Sequence, residues 1–144
     1  MKKLIILSLS LAYCIYLSSI LAADIYSLGT VPVEGIPHTK PRGLSLNHIN
    51  LALKLNPLNS EYHYQKYLLL KAQPAQSLNY IRSAIELEPT KAVYHMLYAL
   101  ALLKQKGAVP DSVIKHELES AVKLKPFSKL YQKTLKDYFP SLHP

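Results

Sequence analysis

The chain has 144 residues, 49% of them hydrophobic, a net charge of +8 and one cysteine. That is room for one domain and an appendage, and a lone cysteine excludes a disulfide framework. Four scattered glycines exclude a glycine-rich phosphate loop, and no G-x-S-x-G nucleophile elbow occurs.

In chain order, the first segment is 1–23, with Lys2 and Lys3 followed by no charge from Leu4 to Ala23. Those residues would make a helix of roughly 30 Å at ~1.5 Å per residue, about one hydrocarbon core. Two readings stand: an uncleaved transmembrane anchor, which fits the length, and a signal peptide, which fits the basic start and the small residues Ala22 and Ala23. Ile20 is a mediocre residue three positions before such a cleavage site. Either way Lys2 and Lys3 hold the N-terminus in the cytoplasm and everything after Ala23 is exported. Cys14 follows Tyr13 in mid-run, which does not suit lipidation.

Residues 24–43 hold Pro32, Pro37, Pro41 and three of the four glycines. Prolines at that density prevent a helix, and no alternation suggests a strand. This segment is expected to be an extended tether.

From 44 to 144 the period becomes helical, and six amphipathic stretches are expected: Ser45–Leu55, Ser60–Ala72, Ala75–Leu87, Lys91–Gln105, Asp111–Leu124 and Ser128–Tyr138. Pro57, Pro89, Pro126 and the run 107–110 break them, and Ser45, Ser60 and Asp111 are the expected N-caps. The fold class is all-α.

One phrase recurs. Ala52-Leu53-x-Leu55-x-Pro57, Ala84-Ile85-x-Leu87-x-Pro89 and Ala121-Val122-x-Leu124-x-Pro126 are each followed five residues later by a tyrosine, Tyr62, Tyr94 and Tyr131. The prolines lie 32 and 37 residues apart, a period that signals stacked units. The alanine lets two helices approach, the aliphatics fill the seam, the proline forces a turn, and the tyrosine opens the next helix.

This pattern resembles the tetratricopeptide repeat, whose helix pairs of about 34 residues end in such an Ala-x-x-x-x-Pro stretch. Ala99 fits the small-residue position of the family's first helix, and Ile81 and Leu118 fit the bulky position of its second. Tyr67 and Lys136 depart from the small-residue position in the other copies. The resemblance implies a divergent array of about two and a half repeats, beginning with a second-type helix. It also implies that first helices line a concave, partner-holding face. By register that face would be Glu61, Tyr64, Leu68 and Lys71, then Val93, Met96, Leu100 and Leu103.

None of the six histidines pairs with another His, Cys or carboxylate at metal-ligand spacing. His63 and His95 occupy equivalent positions, which leaves metal binding or pH sensing open beside simple tolerance of histidine there. No catalytic residue, cofactor, metal or small-molecule substrate is expected. Residues 101–144 carry eight lysines and four acids: a solvated face, or one that docks an acidic partner, anionic lipid or glycan. Nucleic acid is not expected, since no binding motif is present.

The function expected is a non-catalytic scaffold or adaptor of a bacterial-type envelope. Its domain would face the periplasm or extracytoplasmic space, its partner would be another envelope protein or a peptide, and residues 4–23 would hold it in the inner membrane if uncleaved. The alternatives are a secreted or periplasmic module that binds a peptide or glycan, and an accessory subunit of an envelope biogenesis enzyme. Because repeat arrays normally need about three units, a contact that completes the stack is expected too.

Overall fold

The computed structural model describes residues 13–22, 45–105 and 109–140. Among these residues every regular element is helical and there is no strand. Helix α1 takes in residues 13–22. It is followed by α2 (Leu46–Leu55), α3 (Ser60–Leu70), α4 (Pro74–Leu87), α5 (Ala92–Leu103), α6 (Asp111–Leu124) and α7 (Lys129–Tyr138). The six helices of the C-terminal part are those the period marks out, with no bound displaced by more than two residues. The tether expected over 24–43 lies outside the described residues, as do residues 1–12 and 23 of the first segment. Among the described residues no helix is long and apolar enough to cross a membrane. Within α1, Ser18 and Ser19 return their hydroxyls to the carbonyls of Cys14 and Tyr16, both at 2.7 Å. Serine is tolerated in an apolar helix by this local bonding.

Local chemistry sets the helix ends, and it corrects two expected caps. Ser45 does cap α2, accepting from the His48 amide at 3.3 Å. At α3 the cap is Asn59, which accepts from the Glu61 amide at 3.0 Å, while Ser60 is already helical and buried. At α6 the cap position is Pro110, which has no side-chain acceptor, and Asp111 sits in the first turn. There its carboxylate favours the positive end of the helix dipole. Ser128 caps α7 through the Tyr131 amide at 3.4 Å. Helix α4 starts on Pro74, where the missing N–H would be unpaired in any case.

From α2 onward each helix packs on the next in chain order, most densely α3 with α4 and α5 with α6. Three residues, 71–73, link α3 to α4, so those two helices must fold back on each other. The recurrent phrase is the packing unit. Ala52, Ala84 and Ala121 are fully buried, and Tyr62, Tyr94 and Tyr131 are buried with them. Ile49, Ile81 and Leu118, three residues before each alanine, are fully buried too. A small cluster of Ile49, Ala52 and Tyr62 joins α2 to α3. The main core runs from Tyr64 and Tyr67 of α3 to Leu135 of α7, and α5 supplies the largest share of it.

Candidate interaction surface

The three corners α2–α3, α4–α5 and α6–α7 are built alike, down to individual bonds. At each, the residue before the proline ends the helix and returns its amide to the carbonyl of the repeat alanine. Asn56 bonds Ala52 at 2.8 Å, Glu88 bonds Ala84 at 3.0 Å and Lys125 bonds Ala121 at 3.0 Å. The proline carbonyl then receives a side-chain donor six residues on. His63 Nε2 meets the Pro57 oxygen at 2.7 Å, His95 Nε2 meets that of Pro89 at 2.8 Å, and Gln132 Nε2 donates to that of Pro126 at 2.6 Å. A carbonyl only accepts, so each imidazole carries its proton on Nε2. The repeat position thus selects a side-chain N–H of a certain reach, which histidine and glutamine share.

The two imidazoles differ on their other nitrogen. His63 Nδ1 is buried with no hydrogen-bond partner, beside the Tyr80 ring at 6.3 Å between centroids. His95 Nδ1 lies 2.7 Å from the Glu117 carboxylate of α6. With Nε2 already donating, a proton on Nδ1 as well would let the ring donate to the carboxylate, so the contact favours the imidazolium form of His95. The Glu117 bond is the main reason its pKa is raised, and the Pro89 carbonyl adds to it against the opposing effect of burial. The pair ties α5 to α6 with both side chains mostly covered. Among the described residues no three His, Cys, Asp or Glu side chains are grouped to hold a metal ion.

A polar cluster joins the first two corners. Ser60 donates to Glu88 Oε2 at 2.6 Å, and the buried Tyr94 hydroxyl donates to Glu61 Oε2 at 3.3 Å. Lys91 donates to the Tyr94 oxygen at 3.4 Å and pairs with Glu88 at 3.2 Å and Glu61 at 3.7 Å. Since Ser60 and Tyr94 each spend their one proton on a carboxylate, their mutual contact is long, 3.5 Å. Burial pushes the Glu61 carboxyl up, against Lys91, Gln65 and Tyr94. The Ser60 hydrogen bond holds the Glu88 carboxyl below its usual range. Burial would lower the Lys91 ammonium, but Tyr94, Glu88 and Glu61 together raise it. The cluster ties α3 to the start of α5 through Glu61, Lys91 and Tyr94.

Of the eight residues that register assigns to a partner-holding face, Tyr64 and Met96 lie inside the helix seams. Tyr64 tilts onto the Tyr94 ring at 5.2 Å, and burial followed by the nearby Glu61 charge takes its phenol up to about 12. Glu61 belongs to the polar cluster. Leu68, Val93, Leu100 and Leu103 are half-buried against the core, and Lys71 is exposed. The structure brings Lys71, Leu100 and Leu103 together around one open pocket of about 310 Å³. Leu97 and Ala101 of α5 and Tyr67 of α3 complete its apolar wall, Lys104 adds a second cation, and Tyr138 reaches in from α7. Register alone does not identify Tyr138 or Lys104 as part of this surface, because both come from helix ends.

No protein-family model matches the chain, and a search of curated proteins finds no match either.

Proposed function

We propose that the chain is a non-catalytic interaction scaffold. In this reading it is a short tetratricopeptide-like array of about two and a half helix pairs that holds another envelope protein or a peptide. The domain faces the extracytoplasmic side, and the apolar run of residues 4–23 is its membrane attachment. The observation that carries the array is the threefold recurrence of one corner, with the same alanine carbonyl, the same proline carbonyl and a donor at the same offset. Duplicated corners favour a stack of like units over an irregular bundle. The pocket shared by α3, α5 and α7 favours a partner that inserts an apolar side chain and carries an acidic group toward Lys71 and Lys104.

A photo-crosslinking side chain placed at Leu100 or Leu103 in the full-length chain, in cells, tests the binding face. A discrete adduct from those positions, absent when the same group stands at the exposed Ser112, is the expected result. Adducts of equal yield from all three positions, or from none, would count against a groove. The mass of the mature chain separates an anchor from a cleaved signal. A third measurement addresses stack completion: without a partner the chain should unfold at low denaturant. A high, cooperative and concentration-independent midpoint would show that nothing further is needed.

A further inference from the structure

The position after each corner proline is exposed in all three copies: Leu58, Thr90 and Phe127. The corner that carries Thr90 is closed by the same bonds as the others, Glu88 to Ala84 and His95 to Pro89, so the fold does not require an apolar side chain there. Yet the third copy carries Phe127, 95% exposed, the most exposed large apolar side chain among the described residues. Around it in sequence are Leu124, 39% exposed, and Leu130, 55% exposed. Between these stand Lys125 and Lys129, with Lys123 one residue before Leu124, and all three lysines are exposed. None of the three takes part in an ion pair with a described residue, whereas Lys91 and Lys115 elsewhere do. The run from 123 to 130 contains no acidic residue.

We propose that the α6–α7 corner is a membrane-docking tip that recognises an anionic lipid surface. A ring projecting from a tight turn has no pocket of its own to fill, so it suits a deformable apolar layer. Lysine stems lie along that layer while their ammonium groups stay at headgroup level. Each lysine near an anionic surface contributes severalfold to binding, and the contribution decays within a Debye length. A bilayer supplies both halves of this chemistry at once: apolar depth for Phe127 and negative charge for Lys123, Lys125 and Lys129. The proposal rests on the corner's own exposure and charge and stands apart from the scaffold reading.

The chain contains no tryptophan, which makes Phe127→Trp a local reporter whatever else holds the protein. Full-length protein carrying that substitution is reconstituted into phosphatidylcholine vesicles with or without phosphatidylglycerol. The expected result is blue-shifted emission, quenched by brominated lipid, only when phosphatidylglycerol is present. High salt should reverse it, and so should the joint change of Lys123, Lys125 and Lys129 to Glu, with helicity by circular dichroism unchanged. Emission that stays solvent-like in both vesicles overturns the proposal, as does an equal shift in both. A shift produced by an acidic peptide and not by anionic lipid would overturn it in favour of a protein partner.

Discussion

Helices α5 and α7 follow the same corner and open with the same tyrosine, yet they live in different surroundings. Eight of the twelve residues of α5 are buried, against two of ten in α7. Helix α5 is packed by α4 before it and α6 after it, with Tyr64 and Tyr67 of α3 reaching across. Helix α7 has α6 behind it, and its lysines point away. Their sequences record this: α5 contains no Asp, Glu, Lys or Arg, while α7 contains Lys129, Lys133, Lys136 and Asp137. A repeat position therefore sets what a residue contacts within its own corner. The number of neighbours sets whether the rest of the helix can be apolar.

Substitutions at matched positions put this comparison at risk. The largest effect is expected for Tyr94→Ala, about 4 kcal/mol by denaturant unfolding, with about half of that for Tyr131→Ala. Equal losses would mean that the two helices are equally enclosed. Next, Ala99→Leu should cost about 2–3 kcal/mol by overpacking a fully buried site, whereas Lys136→Leu at the equivalent exposed position should be nearly neutral.

Smaller, and dependent on pH, is the contribution of the His95–Glu117 tie. A raised native pKa means that its stabilisation is fully present below the ordinary histidine value of about 6.5. It is lost as pH rises through the native value. His95→Gln keeps a donor for the Pro89 carbonyl, as Gln132 does for Pro126, and removes the charge. It should cost about 1 kcal/mol near pH ~6, and progressively less as pH rises from there through the native pKa. The smallest expected effect is that of Lys133→Ala, within about 0.5 kcal/mol; a larger loss would mean that α7 is covered in solution.

How far the text of the chain foretells these facts depends on their range. The corner is legible because Ala, Pro and Tyr recur at fixed offsets and each offset has a local physical meaning. Helix bounds follow from the same punctuation. The pairing of His95 with Glu117 spans 22 residues, and that of Tyr94 with Glu61 spans 33. No periodicity marks either, since both depend on how closely neighbouring helices approach. The same cause separates Tyr64 and Met96 from Leu100 and Leu103, which register alone treats alike. Asn59 is masked as a cap in the sequence because Ser60 offers a side-chain oxygen one residue later. Its side chain, with the backbone extended at that position, is the one that reaches the amide.

The corners have a kinetic corollary. Every bond that closes one spans four to six residues, so each can form before any distant segment has arrived. Contacts of such short loop length carry little closure entropy, and chains rich in them cross their folding barrier quickly. Collapse of this domain should therefore begin at several places along the chain and spread by docking of preformed turns. The amides of Asn56, Glu88 and Lys125 would then be among the first to gain protection from exchange.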